Sequence, residues 1–473
     1  MKNNPAVFWL RQDFRTLRNN ALSYASNNHD YVSAIYIFKK KDFEKKKEAQ
    51  KWWLHESLKN FKTELDKFNI NLEIINLDSY QNFFEKYSKN HVSFYWNKIY
   101  EPNFLSFDEK ISKYLQEKNI NFKIFKGNIL NEYKEVTKKD NTPFKVFTPF
   151  WNTAEPIYLK KEFRKEIPLK KTVKKIKILD TSYKLEDVLP KEKWFQKFKN
   201  YWDPSEKKGL ELLNNFVKLR IKDYGENRDI PGVEGTSKIS PYLSHGQISI
   251  ETAWEICEKV KKKSRGYRKY VNELGWREFS HSLINYFPNM LKGNLRKEFD
   301  KFPWVKNSKH LKAWKSGLTG YPIVDAGMRE LYETGWMHNR LRMITGSFLV
   351  KHLRIHWMEG EKHFRNCLLD FNEANNVAGW QWIAGCGADA APYFRIFNPI
   401  LQGEKFDKEG NYVKKWIPEL KNIPKEFIHK PWEMNEKVQI NCKIKIGKDY
   451  PSPLVDHSKA RQEALQAFSK IKK

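Results

Sequence analysis

Short β-branched and aromatic runs recur along the first part of the chain: Val7-Phe8-Trp9, Val32 to Phe38, Leu72 to Ile75, Val92 to Trp96 and Phe122 to Phe125. Between the second and third runs, Leu54, Leu58, Phe61, Leu65 and Phe68 recur at spacings of four and three, which makes one apolar helical face. Strands and helices in series predict a parallel sheet flanked by helices over residues 1–130. No G-x-G-x-x-G follows the first run, so the dinucleotide fingerprint is absent. Over residues 131–200 lysine dominates and the apolar periodicity fades, which predicts a long surface connector with packed ends. From 201 to 473 the pattern turns helical. Leu210, Leu213, Phe216, Val217 and Ile221 form one stripe, and Tyr332, Trp336, Asn339 and Met343 another. Pro322 suits the first turn of a helix carrying Val324, Met328 and Leu331. The expected fold class is therefore α/β plus all-α: a parallel-sheet domain, a connector and a helical domain.

Composition narrows the partners. Of 473 residues, 87 are Lys or Arg and 57 Asp or Glu, a formal net charge of +30 that favours polyanions such as nucleic acid. With 40% hydrophobic and 15% aromatic residues, a large core is available and global disorder is excluded. No stretch approaches the roughly 18 uncharged apolar residues of a membrane span. The start, MKNNPAVFWLRQDFR, meets Arg and Asp too early for a signal peptide. Cys257, Cys367, Cys386 and Cys442 lack C-x-x-C spacing, so neither a zinc site nor a disulfide framework is expected, and a reducing cytoplasm fits. His352 and His356 lack the Glu of H-E-x-x-H; no metal is expected.

Three clusters could carry chemistry. Trp380 and Trp382, two apart in WQWIAGCGADAAPYFRIFNP, would point to nearly opposite sides of a helix, one inward and one towards a cavity. Glu273, Trp276, Arg277 and Ser280 fall on one helical face, as do Trp336, Asn339, Arg340 and Met343. Each face joins an aromatic to hydrogen-bonding groups, as a wall that stacks on and reads a base requires. Residue chemistry thus reaches a helical domain with an aromatic, polar cavity that binds nucleic acid.

Several long motifs carry a resemblance. WLRQDFR (9–15), KVFTPFW (145–151), EGTSKISPYLSHG (234–246), NELGWREF (272–279), the 319–353 stretch from TGYPIVDAGMRE to FLVKHL, and the 380–399 segment followed by QGEKFD resemble the photolyase/cryptochrome family. They are most similar to its bacterial class I cyclobutane pyrimidine dimer photolyases. The resemblance spans nearly the whole chain. It implies an N-terminal antenna-chromophore domain, a connector and a C-terminal helical FAD- and DNA-binding domain. It also implies a monomer in the cytoplasm, with DNA as partner and neither a membrane nor an obligate protein partner.

The resemblance further implies non-covalent FAD, active in its reduced form. Tyr224, Thr236, Ser237, Lys238, Ile239 and Ser240 match the residues lining its phosphates and ribityl chain. Trp336, Asn339, Arg342, Asp370 and Asn376 match the ring pocket, with Asn376 facing flavin N5. The family's Asp-x-Asp is Asp370-Phe371-Asn372 here, a neutral isostere at its second acid. Trp380, Trp357 and Trp304 match a chain that conducts an electron to the flavin from the surface. Glu273, Trp276, Arg277, Asn339, Arg340, Met343 and Trp382 match the dimer pocket, and Arg228 and Arg395 its phosphate-side contacts. The implied reaction is light-driven splitting of a flipped-out dimer, with Glu273 stabilising the pyrimidine radical anion. Two alternatives stand beside it. Signalling cryptochromes extend well past the FAD domain and often replace the N5-facing Asn, whereas this chain ends at Lys473 and keeps Asn376. The (6-4) photolyases place a second histidine beside the one at His338, where this chain has Asn339. A second antenna chromophore is expected, folate first, although Phe104 stands where folate-binding members often carry an acid.

Overall fold

The computed structural model describes residues 4–38, 48–77, 79–88, 92–161, 166–178, 184–189 and 193–471. These form two compact units, one made of Met1–Leu219, Ser237–Lys263 and Val271–Tyr286, the other of Arg220–Thr236, Ser264–Tyr270 and Phe287–Lys473.

The first unit contains a five-stranded sheet in the order β3-β2-β1-β4-β5, from β1 (Ala6–Leu10), β2 (Val32–Phe38), β3 (Asn71–Asn76), β4 (Ser93–Asn97) and β5 (Phe122–Phe125). Every pairing is parallel, with Ala6 opposite Val32 on one side and Ser93 on the other. All five expected strands form. The central strand reads AVFWL without a polar break because both its faces are covered. Ala6, Phe8 and Leu10 join a core with Leu54, Leu58, Phe61 and Leu65 from the helix Glu48–Asp66, the stripe expected from sequence. Val7 and Trp9 point the other way, to Phe83, Phe84, Ile111 and Leu115. Helices of this unit are α1 (Asn20–Asn28), α2 (Glu48–Asp66), α3 (Tyr80–Ser88), α4 (Pro102–Glu117), α5 (Phe147–Lys160), α6 (Glu206–Leu219), α7 (Ser240–His245), α8 (Ile250–Glu258) and the greater part of α9 (Arg265–Tyr286).

One expectation is corrected here. The 131–200 stretch is not without periodicity: α5 lies within it and buries Phe147, Phe150, Trp151, Ala154 and Tyr158. Two prolines disguise it. Pro149 sits in the first turn, whose N–H groups have no partner within the helix, and Pro156 is tolerated inside at the cost of one hydrogen bond.

The second unit is helical. It includes α10 (Pro322–Thr334), α11 (Asn339–Ser347), α12 (Trp357–Cys367), α13 (Glu373–Ala384), α14 (Pro399–Phe406) and α15 (His457–Ser469). Pro322 opens α10 as expected, and Val324, Met328 and Leu331 are buried. The stripe Tyr332, Trp336, Asn339, Met343 is not one helix. Gly335 ends α10 with φ +69°, a conformation that costs a side chain a Cβ clash, and α11 begins four residues later. Trp336 therefore lies between two helices and Tyr332 faces outward, 53% exposed. The His338 ring caps α11, its Nδ1 accepting from the Arg340 N–H at 3.1 Å. After α11, Phe348–His352 form a π-turn.

Candidate functional site

In the first unit, α9 carries Glu273, Trp276 and Arg277, all half-buried, while Ser280 is buried and its hydroxyl donates to the Trp276 carbonyl at 2.9 Å. Phe147 stacks face to face on Trp276, with centroids 3.9 Å apart and planes 8° apart. The indole plane is thus set by the KVFTPFW motif. Gly275 permits the approach of Trp151, whose ring would lie 2.6 Å from a Cβ at that position.

Glu278 is a residue the sequence reading missed. Its Oε1 accepts from Arg277 at 3.2 Å, and its Oε2 accepts from the Leu130 and Asn131 N–H groups at 2.7 and 3.4 Å. Burial pushes the Glu278 carboxyl up, opposed by the Arg277 charge. The signal was its place beside Arg277 in NELGWREF.

In the same unit, α7 begins at Ser240 with Pro241 in its first turn. Ser237 and Ser240 are half-buried, Lys238 is exposed with φ +53°, and Ile239 is 3% exposed. Phe104, near the start of α4, is 37% exposed.

In the second unit, Thr236 is half-buried and Tyr224 packs edge-on against Tyr270 at 5.2 Å. The Arg228 guanidinium sits 5.4 Å from the Tyr224 ring centre. Asp229 gathers two of the expected cations: Arg340 donates to it at 2.8 Å, and Arg228 lies 3.7 Å away. Arg340 also lies over Phe406. Asn339 is exposed, and Met343 and Trp382 are half-buried. Trp380 is 2% exposed, so the two neighbouring indoles do face different surroundings, as the spacing predicted.

Arg342 and Asp370 form a tight pair at 2.6 Å, with the Asp370 side chain 3% exposed. Arg342 Nε donates to the Met337 carbonyl, which fixes the fork. Asn372 caps α13 by accepting from the Asn375 N–H at 3.1 Å, so the amide performs the capping task an aspartate would. Asn376 Nδ2 donates to Glu361 Oε1 at 3.0 Å. Glu361, also missed by sequence, is bonded in turn to Arg365, which reaches Glu373. Its signal was the Glu361-x-x-x-Arg365 spacing, but nothing in the sequence ties it to Asn376.

The flavin-ring residues expected from sequence fit a polar, planar ligand. Asn376 and Gly379, three apart, lie on one face of α13, whose start Asn372 caps. A Cβ at Gly379 would meet no atom within 4 Å, so that face opens on space. The buried His338 Nε2, at the start of α11, and Trp380 Nε1, next to Gly379, have no hydrogen-bond partner among the described residues. Burial pulls His338 down to about 4, so its ring is neutral at physiological pH.

Of the three tryptophans expected to form a relay, one lies nearer the surface and two are buried. Trp304 is half-buried, Trp357 is 1% exposed and Trp380 is 2% exposed. Trp357 donates to Asn294 Oδ1 at 2.8 Å. One turn on, Gly360 lets the Trp380 ring lie flush on α12: a Cβ there would stand 2.1 Å from it. His356 lies between Trp304 and Trp357 in the ring series, 4.8 Å from the first and 5.7 Å from the second.

Comparison with known proteins agrees with this architecture. Residues 6–170 match the DNA photolyase family model, and residues 270–470 match the FAD binding domain of DNA photolyase. A deoxyribodipyrimidine photo-lyase of Agrobacterium fabrum is 39% identical over 100% of this chain and 99% of its own length. The crystal structure of a bacterial class III photolyase from Agrobacterium tumefaciens superimposes with a TM-score of 0.94, at 38% identity, covering 100% of this chain and 98% of that one. A Synechocystis cryptochrome superimposes with a TM-score of 0.86 at 27% identity, covering 99% of this chain and 100% of that one. The fold and the site define a flavoprotein of the photolyase/cryptochrome class. Within that class, the chain belongs to the DNA photolyase family.

Among the described residues, no helix is long and apolar enough to cross a membrane, and no cluster of side chains could hold a metal.

Proposed function

We propose that this protein repairs cyclobutane pyrimidine dimers in DNA, driven by blue or near-UV light and dependent on reduced FAD. The observation that carries the reading is α13, which sets Asn376 and Gly379 on an open polar face and buries Trp380 beside it. FAD, when bound, supplies the photochemistry: one electron lent to the dimer on excitation and taken back after the ring opens. Trp336, Asn339, Arg342, Asp370, Asn372 and Asn376 hold its ring system, and Tyr224, Thr236, Ser237, Lys238, Ile239 and Ser240 its phosphates and ribityl chain. The Asn376 amide has its N–H end committed to Glu361, which leaves its oxygen as the acceptor for a donor on the open face.

Glu273, Trp276, Arg277, Asn339, Arg340, Met343 and Trp382 bind the flipped-out dimer. Trp276, steadied by Phe147, offers a stacking plane, and Glu273 offers hydrogen bonds to the charge that develops on the pyrimidine. Arg228 and Arg395 bind phosphates. Trp304, Trp357 and Trp380 carry electrons inward when the cofactor must be reduced. Residues 1–130 form the antenna-chromophore domain, 131–200 the connector, and 201–473 the FAD- and DNA-binding domain. The antenna is a folate, and the protein works in the cytoplasm as a monomer.

The decisive experiment uses a duplex containing one thymine dimer, the purified protein with reduced flavin, and blue light. Chromatography should reveal restored thymines under light and none in the dark. An intact dimer after illumination would overturn the reading. Repair of a (6-4) photoproduct duplex instead would transfer it to that subgroup, and neither activity would favour a cryptochrome.

A further inference from the structure

Lys351 is a lysine with 2% of its surface exposed. An ammonium so buried costs several kcal/mol unless something on the protein holds it. It sits in the π-turn Phe348–His352, where the Leu353 N–H bonds to the Phe348 carbonyl. π-turns inside helical runs cluster at functional sites, because the extra residue re-aims the side chains that follow. Lys351 donates to the backbone carbonyl of Arg395 at 2.9 Å, and its Nζ lies 5.4 Å from the centre of the Tyr393 ring.

The turn and Ser347, the residue before it, hold the same segment twice more. The Tyr393 hydroxyl donates to the Val350 carbonyl, and the Phe397 N–H donates to Ser347 Oγ, both at 3.5 Å. Tyr393 is itself buried and stacked on Phe468, whereas Phe394 and Arg395 are exposed. Arg228, Arg277, Arg340 and Arg342 each have a carboxylate within 4 Å; Arg395 has no ion-pair partner among the described residues. Its guanidinium is left for an anion from outside, on a backbone that the π-turn fixes.

We propose that Lys351 is a positioning residue for DNA binding: its buried ammonium fixes the segment Pro392–Phe397 through the Arg395 carbonyl and so presents Arg395 to a DNA phosphate. The proposal rests on the reading of Arg395 as a phosphate contact. Burial, then repulsion from Arg395, lowers the ammonium to about 7. The other titrating groups around the turn are Tyr393, His352 and His457. His352 and His457 are bonded to each other at 2.8 Å, and burial lowers both, His352 to about 3. Tyr393 is raised by burial, so it stays neutral. Over the physiological range Lys351 is therefore the group of this set that changes charge. It is charged below pH 7 and loses its proton as the pH rises, so the anchor weakens upward.

The test compares wild type, Lys351→Met and Arg395→Ala as flavin-loaded proteins. Readouts are the dissociation constant for a dimer-containing duplex from pH 6 to 9, repair per absorbed photon at saturating DNA, and hydrogen exchange over residues 386–398. Lys351→Met should weaken lesion affinity about tenfold at pH 6, lose the wild-type fall in affinity above pH 7, and speed exchange in that segment alone. The loss should fall on affinity and not on repair at saturation. Wild-type affinity and exchange in Lys351→Met would overturn the proposal. If Arg395→Ala binds the lesion normally, the reading of Arg395 fails instead. Should Lys351→Met not retain flavin, wild-type exchange between pH 6 and 9 decides. Segment 386–398 must then lose protection beyond the intrinsic rise with pH, and unchanged protection rejects the anchor.

Discussion

Asn376 and Glu361 stand 15 residues apart in sequence and 3.0 Å apart in space, the amide nitrogen donating to the carboxylate. A carboxylate accepts and does not donate, so the pair fixes which end of the amide turns away from α12. Asn376→Asp would place two carboxyls at that distance, and like charges so close raise the proton affinity of the introduced acid. The absorption of the illuminated flavin should then differ from wild type and depend on pH between 6 and 8. Identical, pH-independent spectra for the two proteins would remove Asn376 from the flavin ring.

Glu273→Ala should lower repair per absorbed photon while FAD stays bound. Glu273 is half-buried on the α9 face that also presents Trp276 and Arg277. Loss of one preorganised charge-stabilising group costs up to about 3 kcal/mol in such sites. Quantum-yield measurement on a defined dimer checks it, and an unchanged yield removes Glu273 from the chemistry.

Trp380→Phe separates refilling of the flavin from repair. Phenylalanine keeps most of the volume, so the stability loss should be about 1–2 kcal/mol. Bleaching of oxidised flavin under blue light with an external reductant should nearly vanish. Repair by protein reduced chemically beforehand should persist. Normal bleaching would place Trp380 in the core alone.

Gly360→Ala probes the packing that seats Trp380. The added methyl would stand 2.1 Å from the indole, and neither α12 nor the buried ring has room to yield cheaply. Overpacking should cost at least about 1–3 kcal/mol, visible as a lower thermal midpoint, and should slow bleaching. A methyl accepted without loss of stability would mean that α12 and α13 lie further apart than described.

Binding to a dimer-containing duplex should weaken with salt. With +30 net charge and roughly four to six phosphates neutralised, the slope of log K against log salt should be about −4 to −5. Affinity that stays flat from low to moderate salt contradicts an electrostatic interface.

Pattern alone was enough for the sheet, because a strand buried on both faces reads as a near-continuous apolar run, as β1 does throughout and β4 does between Ser93 and Asn97. The same holds for α2, α6 and α10, whose apolar residues recur at helical spacing. Long motifs also determined the family, since they specify many positions at once. The sequence did not determine α5, where prolines masked the periodicity, nor the break at Gly335, where a residue free to take positive φ ended a stripe that otherwise continues. Tertiary structure alone decided that Glu361 orients Asn376, that Asp229 joins Arg228 to Arg340, that Phe147 sets the plane of Trp276, and that Lys351 reaches the Arg395 carbonyl. Each of these joins residues on different elements or loops. Sequence periodicity reports which face of an element is apolar, but not which distant polar group that face will meet.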